Sequence, residues 1–146
     1  VATLGASSHT YTEAQESQAM KSWIGGHVRA FEYFGGVAEI LVPDNTKTAI
    51  TSPCRYEPDI NPTYQDMAEH SGTAVIPTIV RHPRDNGKVE RSLRTDQEEF
   101  YQLLTYIDDV DLNEKLAEWE RFYNIDRPHG AFNGKTPYEA LRCILK

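Results

Sequence analysis

Arg81-His82-Pro83-Arg84-Asp85-Asn86-Gly87-Lys88-Val89-Glu90-Arg91-Ser92-Leu93-Arg94 is the stretch around which the chain is organised. Five of the fifteen Lys and Arg residues fall in these fourteen positions, in a protein whose net charge is −7. The Pro-containing basic loop turns at Asn86-Gly87 and enters a helix predicted over residues 86–106. Val89, Leu93, Phe100, Leu104 and Ile107 form its apolar stripe. On a helical wheel Glu90 falls about 80° from the centre of that stripe. It therefore sits at the margin, where a cleft edge would lie, with Lys88, Arg91 and Arg94 further towards solvent. A second carboxylate, Asp44, ends the apolar run Ile40-Leu41-Val42-Pro43.

At 146 residues the chain has the size of one domain with a real core. It has no membrane-length apolar run and no signal-peptide pattern, which predicts a soluble, cytoplasmic protein. Cys54 and Cys143 stand far apart, with neither zinc spacing nor a disulfide framework, and read as free, partly buried thiols. The acidic balance argues against a dedicated nucleic-acid-binding module. It leaves room for a nuclease or transposase core, which needs only a local basic patch.

Outward from the basic stretch, Val1–Leu4 and Thr10–Ala14 read as a hairpin. Met20, Trp23, Ile24, His27, Val28, Phe31 and Phe34 recur at helical spacing, which predicts a helix from about Glu16 to Phe34, ended by Gly35-Gly36. Gly25-Gly26 in its middle implies close approach to a neighbouring strand. His27, on the stripe, reads as a satisfied core or boundary histidine rather than a ligand. Val37–Val42 is a predicted strand with Asp44 at its C-terminal end, where catalytic groups gather in sheets with parallel strands. Residues 45–50 could start a short helix, and 52–62 read as a loop. A helix over about 62–70, with Tyr64, Met67 and Ala68 facing inward, is stopped by Gly72, and residues 73–78 form a further strand. The order strand, strand, helix, strand, helix, strand is an α/β pattern. Beyond Asn86 the chain turns all-helical. Asp108-Asp109-Val110-Asp111 breaks one helix and caps the next, Leu112–Tyr123, whose stripe is Leu112, Leu116, Trp119 and Phe122-Tyr123. A loop over 127–135 leads to a last helix that starts at Thr136-Pro137 and ends near Leu145.

Two-metal phosphoryl transfer needs carboxylates that converge from different elements and hold Mg²⁺ or Mn²⁺ with positions left open for phosphate. Asp44 at a strand end and Glu90 on a helix suit that chemistry. Read alone, the same acids serve equally as a turn cap and as an ordinary i, i+4 partner of Arg94. The cations Arg81, Arg84, Lys88, Arg91 and Arg94 either grip phosphates or form a solvated cluster. Arg127 and His129 either touch DNA or lock their own loop.

Val42-Pro43-Asp44-Asn45 followed by Gly87-Lys88-Val89-Glu90-Arg91 resembles the second and third acids of the DDE transposases, the insertion-sequence enzymes that share the retroviral-integrase catalytic core. Phe122-Tyr123-Asn124, Arg127-Pro128-His129 and Gly134-Lys135-Thr136-Pro137 resemble the tail of the same superfamily. The resemblance covers essentially all of residues 1–146, with 111–146 as a helical tail. It implies a ribonuclease-H-like α/β fold: a mixed sheet with flanking helices. It also implies metal-dependent cleavage and strand transfer at transposon ends, with Asp44 and Glu90 as catalytic metal ligands for Mg²⁺ or Mn²⁺. By proximity, Asn45, Lys47, Arg81, Arg84, Lys88, Arg91, Arg94, Arg127 and His129 lie near DNA. The implied partners are terminal-repeat and target DNA, further copies of the chain in the DNA complex, and an ATPase helper protein.

Two departures from the family pattern stand out. The family uses three acids, and no Asp precedes Asp44 here. Val1-Ala2-Thr3-Leu4-Gly5 looks like the second strand, so the first strand and its Asp are expected upstream, and this chain alone is expected to be inactive. The halves also resemble different branches: up to about Ile79 the large protein of two-gene (IstA-type) elements, and from Asn86 onward single-gene transposases. A recombined gene, a remnant or a designed chimera would account for that. A non-catalytic DNA-binding or assembly module, or an unrelated nuclease on the same fold, are the competing readings.

Overall fold

In the computed structural model, residues 1–44, 48–52, 59–77 and 105–146 are described. In chain order the elements are β1 (Ala2–Thr3), β2 (Thr10–Tyr11), α1 (Met20–Phe34), β3 (Ile40–Leu41), β4 (Ile50–Ser52), β5 (Asp59–Ile60), α2 (Pro62–Ser71), β6 (Ala74–Val75), α3 (Asp109–Arg121) and α4 (Pro137–Ile144). A π-helical turn, Phe122–Asp126, extends α3, and a 3₁₀ turn, Gly130–Phe132, precedes α4. The chain packs as two compact units: residues 1–14 with 88–146, and residues 15–87.

In the unit of residues 15–87, the core is Ala49, Ile50 and Tyr64, flanked by Met20, Trp23, Leu41, Ile60, Met67 and Val75. Asn61 caps α2 by accepting the Thr63 N–H at 3.0 Å, and Pro62 follows at a position that needs no amide donor. Gly72 stops the helix at φ 72°, a conformation that disfavours any residue with a Cβ. β3 pairs in parallel with β6 in the register Ile40↔Ala74 and Leu41↔Val75, closed by Ala74 N–H to Glu39 O and Ile76 N–H to Leu41 O, both 2.9 Å. Alternation along the strands turns Leu41 and Val75 to the core. Ile40, Val42 and Ile76 stay 50 %, 45 % and 51 % exposed.

Several boundaries differ from the sequence reading. α1 starts at Met20: Ala19 is its N-cap, whose carbonyl accepts the Trp23 N–H at 3.0 Å and whose side chain offers no cap. Ile50 opens a strand rather than closing a helix: β4 pairs antiparallel with β5, which falls inside the stretch read as a loop. Thr105 and Tyr106 are not helical, so the predicted 86–106 helix does not reach Tyr106, and its earlier residues lie outside the described ones. The close neighbour of Gly25 is not a strand. A Cβ there would meet the Arg29 guanidinium Nη1 at 3.1 Å. That group is the far end of an exposed, flexible side chain, which can give way. We expect Gly25→Ala to stabilise the protein by up to about 1 kcal/mol through helix propensity, read as a rise in the urea midpoint at unchanged m value.

His27 is satisfied, as its place on the stripe implied. Its Nδ1 lies 2.9 Å from Trp23 O and its Nε2 lies 3.1 Å from the Tyr64 hydroxyl. A carbonyl can only accept, so Nδ1 carries the proton and Tyr64 donates to Nε2. Burial lowers the His27 pKa from its ordinary value of 6.5 and raises that of Tyr64 to about 12. The unfolded chain therefore takes up the proton first as pH falls. The contribution is therefore fully present above pH 6.5 and is lost as pH drops below it. Burial lowers His9 in the same way, adding a loss in the same direction. The unfolding free energy from urea titration should fall between pH 7.5 and pH 5.5, at up to about 1.4 kcal/mol per pH unit for each histidine. The Tyr64→Phe variant should show a smaller pH dependence, because protonated Nε2 no longer displaces a donated hydroxyl.

In the other unit, β1 and β2 pair antiparallel in the register Ala2↔Tyr11 and Thr3↔Thr10, the expected hairpin. Asp108 caps α3 by accepting the Asp111 N–H at 2.9 Å, and acids fill the first turn, where the helix dipole favours them. Thr136 and Glu139 close a capping box on α4, with Pro137 at its start. Along the predicted α3 stripe, Leu116 and Tyr123 are buried, but Phe122 is 45 % exposed. The buried place beside them goes to Glu120.

Glu120 belongs to a polar clasp. Asn124 Oδ1 accepts the Thr10 N–H at 2.9 Å, and its Nδ2 donates to Thr10 O at 2.6 Å. Glu120 Oε2 accepts the Thr12 N–H at 2.6 Å and the Thr12 hydroxyl at 3.3 Å. Asn113 Oδ1 accepts the Ala14 N–H at 2.9 Å. Alternate residues of an extended strand turn their amides to the same side. One helical face therefore satisfies the edge that a further strand would otherwise pair.

Candidate active site

Asp44 lies three residues beyond Leu41, at the C-terminal end of β3, with an exposed side chain that follows buried Pro43. Because β3 and β6 run parallel, both strands end on the same side of the pair. The chain leaves β6 through Ile76 and Pro77 at the end where Asp44 sits, heading into the sequence that contains the basic stretch. Of the other predicted site residues, Asn45, Lys47, Arg81, Arg84, Lys88, Glu90, Arg91 and Arg94 lie outside the described residues. Among the described residues, no three His, Cys, Asp or Glu side chains converge to hold a metal ion. What Asp44 offers is a solvent-facing carboxylate, the hard oxygen donor that Mg²⁺ or Mn²⁺ takes.

Arg127 and His129 are described, and both are half-buried. The Arg127 guanidinium carbon lies 5.8 Å from the Tyr123 ring centroid. The His129 ring meets Tyr123 edge-on at 4.8 Å and Phe132 at 6.2 Å. The backbone of His129 ties the loop: its N–H donates to Lys135 O at 3.0 Å, and its carbonyl accepts from Phe132 and Gly134, both at 3.1 Å. The His129 main chain thereby locks the loop. Cys143 is free and exposed rather than partly buried, 3.4 Å from Lys135 Nζ. Cys54 lies outside the described residues.

Sequence reasoning missed the clasp residues Asn113 and Glu120, and it quoted Asn124 only within the tail pattern. A signal was present: Asn113, Glu120 and Asn124 recur at seven and four residues on one helical face, and Thr10, Thr12 and Ala14 alternate along a strand. Neither pattern reveals its partner across 99 to 114 residues.

Comparison with known proteins fits this geometry. The integrase core domain family matches residues 71–137. A protein designated as transposase for insertion sequence IS408 of Burkholderia multivorans is 49 % identical over 90 residues, covering 62 % of this chain and 17 % of that protein. A Mycobacterium tuberculosis protein designated as a transposase is 31 % identical over 144 residues, covering 99 % of this chain and 35 % of that protein. The chain is homologous to insertion-sequence transposases with an integrase core. The transposase for insertion sequence element IS21 of Pseudomonas aeruginosa is also similar, 29 % identical over 82 % of this chain and 31 % of that protein. This homologue spans about a third or less of the length of these three transposases. A single relative aligned through both halves removes the need for a recombined gene. In fold, one chain of the cryo-electron microscopy structure of a simian T-cell lymphotropic virus intasome in complex with a PP2A regulatory subunit superposes with a TM-score of 0.71 at 13 % identity, covering 92 % of this transposase homologue and 44 % of that chain. The mixed α/β architecture is thus that of an integrase-core neighbour. No described helix is long and apolar enough to cross a membrane.

Proposed function

We propose that this chain is the catalytic core of an insertion-sequence transposase, a ribonuclease-H-like mixed sheet with flanking helices and a helical tail over 111–146. In this reading it cuts and joins DNA at transposon ends. The observation that carries the reading is the parallel β3–β6 pair, which sets Asp44 at the strand end from which the chain departs towards Glu90 and the basic stretch.

Asp44 and Glu90 would hold Mg²⁺ or Mn²⁺, which when bound supplies charge stabilisation at the scissile phosphate and a more acidic attacking hydroxyl. The two carboxylates would provide the negative oxygens that such a site requires. Arg91 and Arg94 follow Glu90 on the predicted helix, Lys88 precedes it there, Arg81 and Arg84 precede it in the loop, and Asn45 and Lys47 follow Asp44. These residues would hold the DNA backbone by charge, with Arg127 and His129 as further contacts. DNA, other copies of the chain in the DNA complex and an ATPase helper are the partners this role calls for. The 146-residue polypeptide, in which Asp44 is the first aspartate, should not cleave DNA by itself.

The test uses terminal-repeat DNA and a full-length transposase bearing this core. Products with joined ends that require Mg²⁺ and vanish with chelator support the reading. Cutting without joining would indicate a nuclease, and DNA binding without either reaction would indicate an assembly module.

A further inference from the structure

We draw no further inference here: the strongest candidate, the exposed apolar face that Ile40, Val42 and Ile76 form on the outer side of the β3–β6 pair, carries nothing because no observation shows what covers it.

Discussion

Asp44→Asn and Glu90→Gln, each made in a full-length transposase bearing this core, should reduce strand transfer by on the order of 10³-fold or more, as losses of groups that act as a unit do. DNA binding should stay within about twofold of the parent, because most of that affinity comes from cations on phosphate. The amides keep the size and shape of the acids but remove the negative oxygen that a hard divalent cation takes. Asp44 is exposed at a strand end, and a urea titration of each variant reads any change in folding separately from the loss of chemistry. The two losses should not add, since either variant already disables the shared site. A gel assay for joined ends, run beside a binding titration, reads both quantities. Activity retained in either variant would remove that acid from catalysis. Lost binding with unchanged chemistry per bound complex would make it a DNA contact instead.

The second large effect is on stability. Asn124→Ala should cost about 3 kcal/mol: two hydrogen bonds to the Thr10 backbone are lost, and that buried backbone is left without partners. Glu120→Ala should cost a similar amount, because the Thr12 amide loses a charged acceptor in a buried place. Glu120→Gln keeps an oxygen acceptor and should recover part of that loss. A control on the exposed side of the same helix, Glu118→Ala, should stay within about 0.5 kcal/mol of the parent. Urea denaturation of the chain reads all four. If Asn124→Ala proves as mild as Glu118→Ala, the clasp does not hold the hairpin to α3.

Much of this fold was legible because local chemistry repeats. Pro62, Gly72 and Thr136-Pro137 announce helix ends by rules that need no tertiary context, and they stand where the sequence reading put them, whereas α3 begins at Asp109, three residues before the expected Leu112. The hairpin at residues 2–11 and the buried Tyr64 and Ala68 followed from alternation and helical period. The failures have physical causes. β4 and β5 are two or three residues long and are made by pairing with each other rather than by intrinsic preference, so the sequence around Ile50 and Asp59 does not show them. The start of α1 moved because Glu16, Ser17 and Gln18 continue a helix pattern that packing does not take up. At the candidate site, Asp44 was readable as an acid ending an apolar run, and the parallel pairing that gives it meaning was expected only in outline. Glu90 was identified through its cationic neighbours and its resemblance to a motif, both properties of the sequence. The clasp on Thr10, Thr12 and Ala14 is long-range, and composition weighs against a buried glutamate.

The most direct test of the central claim is a crystal structure of the core with Mn²⁺, read by the anomalous signal of the metal. A Mn²⁺ peak bound by both the Asp44 and Glu90 carboxylates is expected, with the two groups within roughly 8 Å, the span that shared or adjacent divalent ions allow. A metal peak away from both acids, or carboxylates well beyond that span, would contradict it.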